Sequence, residues 1–542
     1  MSRFEEHLTR LSHVSAEAGL QDILRGLEKE SLRVDPKGTL ARTGHPRALG
    51  SALTHPHITT DYSEALLEFI TEPHRDIDAL LAQLEGIHRY TYSVLEQNDE
   101  VLWPASMPCS LGPHSDIPVA RYGSSHSGTM KTVYRLGLGH RYGRAMQTIA
   151  GVHYNFSLPD TFWRQLQQLE GDSQPLQSFK TARYFDLIRN FRRYSWLLIY
   201  LFGAAPGVCR SFVRDRAHQL EPFRGDEHSL YSPFATSLRM GDLGYQSDAQ
   251  QALQISYNDL PSYMQTLCQA ITRPHPAYQA IGLIDAKGDY QQLNTGLLQI
   301  ENEFYSSIRP KRTTRRGETA LSALRDRGVE YIEVRCLDLN PFDPLGISAS
   351  QIRFIDAFLI YCLLEESPLN NGEEHAELRE NQHRIVYRGR DPRVSLLRSG
   401  QEVGLRDWAE SLTDRIARCA TLLDDANGGD QFCHSISEIR PRISHPEWTP
   451  AARLLAEMDT HEMSFLQYTL ALARRHTHHF KVPLAEKQQA AFAALAETSL
   501  AEQAALERAD EGTFEDYLAR YYNQYHDCQC SGRDTEAVSS AP

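Results

Sequence analysis

Five short segments, far apart in the chain, put acidic or metal-friendly side chains on one face of a predicted β-strand. They are Gly26-Leu27-Glu28-Lys29-Glu30, Leu66-Leu67-Glu68-Phe69, Gly151-Val152-His153-Tyr154-Asn155, Gln299-Ile300-Glu301-Asn302-Glu303 and Glu330-Tyr331-Ile332-Glu333-Val334-Arg335. Strand side chains alternate, so residues two apart share a face at a separation of about 7 Å. Carboxylates gathered on one sheet face repel each other and resist desolvation unless a cation sits among them. Any fold for this chain therefore has to supply a cation-holding sheet face, and hard metals gathered by glutamates usually hold phosphates in turn.

The alternation can be followed residue by residue. Glu28 and Glu30 share a face with Leu32 and Val34, which points them toward something partly buried. Taken alone this pair also fits a surface hairpin with salt bridges to Arg25 and Lys29. In the third segment His153, Asn155 and Ser157 oppose Val152, Tyr154, Phe156 and Leu158. In the fourth, Gln299, Glu301, Glu303 and Tyr305 line one face, and in the fifth Tyr331, Glu333 and Arg335 alternate with Ile332, Val334 and Cys336. One polar-faced strand can be solvent-exposed, whereas five with the same habit are better explained as the lining of a cavity. The basic counterpart is Arg309-Pro310-Lys311-Arg312 after the fourth strand, with Lys131, Arg135 and Arg141 in a loop region before the third, and Arg239. Arginine forks match carboxylate and phosphate geometry.

Other classes are disfavoured. With 56 Lys and Arg against 70 Asp and Glu, the net charge of −14 argues against non-specific nucleic-acid binding. The longest apolar run, from Trp196 to Ala205, is too short to span a bilayer, so no membrane role is expected. The first residues lack the apolar core of a secretory signal, and nine scattered cysteines fit reduced thiols, which together predict a cytoplasmic protein. There is no Gly-x4-Gly-Lys-Ser/Thr and no Gly-x-Gly-x-x-Gly after a strand, so P-loop and Rossmann nucleotide sites are unsupported. His476-Thr477-His478-His479 reads as basic residues following a helix that ends near Arg474-Arg475, in preference to a metal cluster. Cys336 falls on the apolar side of its strand, which argues against a nucleophile.

The expected organisation is α+β. Helices are predicted within 1–25, over 75–98 with Asp76 or Asp78 near the N-terminus, over 180–200, and through 451–511 with a break at Pro483. Residues 1–350 form the catalytic body, 351–526 a mainly helical region packed on it, and 527–542, with Cys528-x-Cys530, a disordered tail. The residues alone thus lead to phosphoryl transfer with two or more Mg²⁺ ions and a nucleoside triphosphate, leaving the acceptor open.

At this level of detail the chain resembles bacterial glutamate–cysteine ligase, a family of the glutamine synthetase-like superfamily. The resemblance is carried by Gly26–Val34, Thr59–Thr71, Met146–Ser157, Ile300–Tyr305, Ile308–Arg312 and Tyr331–Phe342, in order. It implies an antiparallel sheet curved into a funnel with helices outside, ATP and metals entering one end and amino acids the other. It implies ligation of the L-glutamate γ-carboxylate to the L-cysteine amine through a γ-glutamyl phosphate, the first step toward glutathione. Glu28, Glu30, Asp61, Glu68, His153 and Glu333 match the metal positions, for Mg²⁺ with Mn²⁺ able to substitute. Arg335 and Arg239 match catalytic positions, Arg239 also meeting substrate. Tyr62, Tyr134, Arg135, Leu138, Gln147, Asn155, Tyr245 and Tyr305 match substrate positions, and Ile149 packs near the nucleotide. Tyr62 departs from the Phe of the pattern and adds a hydroxyl to the thiol pocket. A monomer and feedback inhibition by glutathione are further implications. The alternatives are a ligase of the same fold with another amine acceptor, and a non-catalytic sensor, which would have lost the metal carboxylates.

Overall fold

The computed structural model describes residues 2–526 except 16, 215, 245–249, 251 and 252. Its centre is an antiparallel sheet in the order β2-β3-β1-β5-β10-β9, with β4 pairing the far end of β1. The strands are β1 (Leu24–Val34), β2 (Ile58–Thr60), β3 (Leu66–Ile70), β4 (Val101–Leu102), β5 (Val152–Ser157), β9 (Ile308–Lys311) and β10 (Tyr331–Leu337). Between β5 and β9 a separate three-stranded sheet is formed by β6 (Gly207–Cys209), β7 (Glu221–Phe223) and β8 (Asp226–Tyr231). The main sheet does not close: β2 and β9 are its two ends.

Four of the five alternating segments fold as strands of this sheet, and β1 is buried on both faces over most of its length. The apolar face is covered by the helix Ala349–Leu364, whose side chains are buried almost all round. Its Phe354, Phe358 and Tyr361 pack edge-on or tilted against Phe202, Phe191 and Phe4, at 5.4, 5.7 and 5.5 Å between ring centres. A polar knot ties it to the sheet, with Arg25 Nε 2.6 Å from Asp356 and the Tyr154 hydroxyl donating to the same carboxylate at 2.5 Å. The run Trp196–Phe202 is a short buried helix beneath this layer, and no helix among the described residues is long and apolar enough to cross a membrane. The core is continuous from Phe4 to Tyr525. In the last third, helices Phe465–Phe480 and Glu486–Ala509 flank the break at Pro483. Asp76 caps the helix Ile77–Leu95 by accepting from the Ala79 amide at 2.7 Å.

Four expectations are corrected. Residues 299–303 are not a strand; Glu301–Glu303 is a 3₁₀ turn. Glu301 accepts from the Ala320 and Leu321 amides at 2.5 and 3.3 Å, capping the helix Ala320–Arg327, and also meets the Tyr525 hydroxyl. Glu303 forms a fully buried pair with Arg141 at 3.0 Å and accepts from the Tyr142 hydroxyl at 2.7 Å. The alternation there came from two carboxylates with separate structural duties. Second, Lys131, Arg135 and Arg141 lie on the helix His126–Tyr142 and not in a loop. Its Gly137 and Gly139 lower helix propensity but are required by packing, because a Cβ would stand 2.1 Å from Gln299 and 2.4 Å from the Tyr62 hydroxyl. Third, the basic run 309–312 does not follow a strand; its first three residues lie in β9. Fourth, His476 is inside its helix, buried near Lys29, whose ammonium is 2.7 Å from His88. Burial pushes Lys29 down to about 7, against the opposing charge of Asp343, and burial and then Lys29 push His476 to about 3. The tail from 527 lies outside the described residues.

Candidate active site

Strand register decides which of the polar side chains meet. Glu30 stands opposite Glu68, and Glu28 opposite His153. Glu333 pairs with Asn155 on one side and Arg309 on the other. One sheet face thus carries Glu68, Glu30, Glu28, His153, Asn155, Glu333 and Arg309 across five adjacent strands. Glu28, Glu68 and His153 each present a ligand atom within 4.8 Å of the others. His153 Nε2 is 3.7 Å from Glu30, and its Nδ1 is 3.5 Å from Glu28 and 3.8 Å from Glu333. Asn155 donates to Glu28 at 2.8 Å, and the Gly151 amide to Glu30 at 2.7 Å.

The carboxylates fall into two electrostatic groups. Burial pushes Glu333 upward, but Lys311, Arg335 and His153 outweigh it and hold Glu333 well below the ordinary range. Lys311 Nζ and Arg335 Nη1 lie 3.6 and 3.1 Å from its Oε1. In Glu28 burial and Glu333 act upward, and the His153 hydrogen bond and Lys311 prevail. Glu30 and Glu68 are supported less: Arg239 and Arg335 act downward on Glu30 and Arg135 on Glu68, but they do not prevail. Burial and then Asp61 push Glu30 up to about 8, while burial and then Glu28, Asp61 and Glu30 raise Glu68 well above its usual value. Burial and Arg335 depress His153, which keeps its imidazole neutral and a ring lone pair available.

The donor set fits hard divalent cations: several carboxylates at close quarters, one neutral imidazole, and a buried Glu333 Oε2 without a hydrogen-bond partner. A cation beside Glu30 and Glu68 would add to the positive charge there, which Glu333 receives more fully from its basic neighbours.

Beyond Glu30 and Asp61 a cavity opens, with Arg335 at its inner end. Tyr62, Tyr134, Arg135, Leu138, Gln147, Ile149, Glu303 and Tyr305 are among the residues that line its wall. Gln147 donates to the Tyr305 hydroxyl at 2.8 Å. The Arg135 guanidinium stacks 4.5 Å from the centre of the Tyr122 ring and donates to the Asp61 carbonyl. The Tyr62 hydroxyl is buried without a hydrogen-bond partner. Ile149 shares this wall with the positions expected for the amino acid. Asn155 lies on the sheet beside Glu28, outside the cavity lining.

Arg239 is fully buried and does not line the cavity. It donates to the Arg335 carbonyl at 2.9 Å and lies 3.9 Å from Asp338. Only Gly151 separates it from Glu30, and a Cβ at Gly151 would stand 2.1 Å from its Nη2. Tyr245 lies outside the described residues. Two participants had no sequence signal, Tyr122 under Arg135 and Gln250, whose Oε1 accepts from the Tyr305 amide at 3.1 Å. Both act across large sequence separations, and neither belongs to a local motif.

Comparison with known proteins points to one family. The glutamate–cysteine ligase family model matches residues 8–385. The glutamate–cysteine ligase of Alcanivorax borkumensis is 53% identical over 532 residues, covering 96% of this chain and 100% of that protein. That of Saccharophagus degradans is 54% identical over 517 residues, covering 94% and 96%. The crystal structure of glutamate–cysteine ligase from Francisella tularensis in complex with AMP superposes with a TM-score of 0.87 at 36% identity, covering 93% of this chain and 98% of that one.

Proposed function

The chain belongs to the glutamate–cysteine ligase family, and from that premise we propose that it joins the γ-carboxylate of L-glutamate to the amine of L-cysteine with ATP as co-substrate. The products are γ-glutamylcysteine, ADP and phosphate, and the reaction is the first step toward glutathione. The observation that carries this reading is the continuity of the carboxylate-lined sheet face with the Arg- and Tyr-walled cavity, which meet at Glu30, Asp61 and Arg335.

Glu28, Glu30, Asp61, Glu68, His153 and Glu333 would hold two or more Mg²⁺ ions, with Mn²⁺ able to substitute. Ions held by these residues would supply the positive charge that phosphoryl transfer calls for. Arg335, at the junction of sheet face and cavity, takes up charge on the transferring group. The resulting γ-glutamyl phosphate makes the carboxyl carbon open to attack by the amine. Arg135 offers its guanidinium to the α-carboxylate of cysteine. Tyr62, Tyr134, Leu138 and Tyr305 enclose the thiol, the sequence resemblance adds Tyr245 as a substrate residue, and the Gln147–Tyr305 hydrogen bond fixes one wall. An aromatic enclosure also keeps water from the acyl phosphate. Ile149, on the wall of the amino-acid cavity, would meet the nucleotide where the two substrates adjoin. Arg239 acts from behind Gly151, holding the strand end that presents Arg335 and adding positive potential for a substrate carboxylate. In this reading the open sheet is one wall of a glutamine synthetase-like funnel, and the division near residue 350 separates the catalytic body from its helical support. A cytoplasmic monomer with glutathione competing at the amino-acid cavity completes the proposal.

The deciding experiment is ADP release by the purified protein with Mg²⁺, ATP and L-glutamate while the amine is varied among L-cysteine, L-2-aminobutyrate and ammonia. Strong dependence on cysteine, with γ-glutamylcysteine in the product mass spectrum, is expected. Preference for another amine overturns the substrate, and absence of ADP under all conditions overturns the ligase reading.

Two further outcomes are expected. Gly151→Ala should lower turnover about tenfold or more, because the new methyl group must displace Arg239 or spread β1 from β5. Steady-state kinetics beside a thermal melt checks this, and full activity refutes the close approach. The second concerns protons. Without metal, Glu30 is raised from 4.5 to about 8, so the folded state holds its proton more tightly than the unfolded state. That contribution favours the fold at pH below 4.5 and is lost as pH rises toward about 8. A divalent cation reverses the preference, so Mg²⁺ added to metal-free protein at neutral pH should release protons. Calorimetry in two buffers of different ionisation enthalpy reads the effect, and buffer-independent heats contradict it.

A further inference from the structure

Behind Tyr305 lies a second cavity of different character. Tyr305 lines both cavities, and on its far side the wall includes Arg192, Tyr257, Ser307, His375 and Arg379. No carboxylate is among its described lining residues. Arg192 projects from the helix Leu176–Tyr194, its guanidinium 4.4 Å from the centre of the Tyr257 ring. Its Nη1 is buried and finds no hydrogen-bond acceptor. Glu374, whose charge reaches Arg192, is already engaged by Arg193 at 2.5 Å and by Asn370 at 2.7 Å. His375, pushed down to about 4 by burial and by Arg192, stays neutral and brings no competing charge. Arg192 is half-buried, but its Nη1 is withdrawn from water without an acceptor, and buried donors are normally satisfied. A planar fork of this kind matches the geometry of an oxyanion.

We propose that this cavity binds a small oxyanion, a carboxylate or a phosphate, on Arg192, and that its occupancy is read at the active site through Tyr305. The connections are short. The Tyr305 amide donates to Gln250, which lines the anion cavity and itself donates to the Tyr142 hydroxyl at 3.0 Å and the Glu303 carbonyl at 3.1 Å. The Tyr305 hydroxyl meets Gln147 on the substrate side. The Ser307 carbonyl accepts from the Arg335 amide at 2.8 Å, so the same wall also sets the strand that carries Arg335. An ion that draws this wall toward Arg192 shifts Tyr305, which also lines the amine cavity. Only this read-out rests on the ligase reading; binding to Arg192 does not.

The test is isothermal titration calorimetry of the full-length protein with inorganic phosphate and, separately, with succinate, compared with Arg192→Gln and with Arg379→Gln on the exposed rim. The expected result is one binding event weakened about tenfold or more in the first variant and severalfold in the second. Both variants should keep their melting temperature and their ligation turnover in anion-free buffer. Binding of phosphate only, or of succinate only, identifies the occupant. Millimolar titrations without heat, or binding indifferent to both substitutions, overturn the site and leave Arg192 satisfied by water. If Arg192→Gln fails to fold, Arg379→Gln alone decides, with unchanged affinity counting against the site. Arg192-dependent binding that leaves the KM for the amine unchanged refutes the read-out through Tyr305. Loss of all ligation activity in the wild type would sink the ligase reading, while the calorimetry would still decide the anion site.

Discussion

Replacing Glu333 by Gln is expected to lower ADP-forming turnover by about a thousandfold or more while the protein stays folded. Glu333 stands where three basic residues and the proposed metal cluster meet. Its carboxylate lies within 4.0 Å of Arg309, Lys311 and Arg335, and 3.8 Å from His153. Gln keeps the shape and removes the charge. A metal ligand is then lost and Arg335 loses the partner that aims it, so two contributions to transition-state stabilisation fail together. The fold should survive because Arg309 also donates to the Asn302 and Phe304 carbonyls, at 2.7 and 2.5 Å. Glu28→Gln is expected to behave alike, since Glu28 faces His153 across the register. Single-turnover ADP formation with a circular dichroism control checks both. Unchanged turnover in either variant would refute the metal-site reading.

Asp356→Ala is expected to destabilise the protein by about 3–5 kcal/mol without altering the polar sheet face. Asp356 is fully buried and serves two partners at once, Arg25 and the Tyr154 hydroxyl. Removing it leaves a guanidinium and a phenol in the core, and the desolvation of Arg25 is then offset only by the Ile23 and Arg75 carbonyls. Asp356→Asn keeps an acceptor for one partner and should cost less. Urea denaturation followed by circular dichroism measures the difference. A loss below about 1 kcal/mol would mean that Arg25 is satisfied without the helix Ala349–Leu364.

The strand alternation of Glu28 and Glu30, of His153 and Asn155, and of Glu333 and Arg335 was legible in the sequence. So were the helix start at Asp76 or Asp78, where Asp76 proves to be the cap, and the helical break at Pro483. These features depend on backbone period and on hydrogen bonds within a few residues, which any local stretch reveals. The same reading failed at Glu301 and Glu303, where an identical pattern serves a helix cap and a buried ion pair. It failed again at the helix His126–Tyr142, whose glycines are there for Gln299 and Tyr62, not for a loop.

By itself, then, the sequence determined which faces are polar, which families of motif are absent, and which known enzymes the chain resembles. Tertiary structure alone decided that Glu30 faces Glu68, that Arg239 lies sealed behind Gly151, and that Arg192 is left without an acceptor beside Tyr305. The reason is physical. Side-chain direction along one strand follows from covalent geometry. Strand register, desolvation and the choice of ion partner depend on groups such as Arg25 and Asp356, 331 residues apart, which meet only once the whole core has formed.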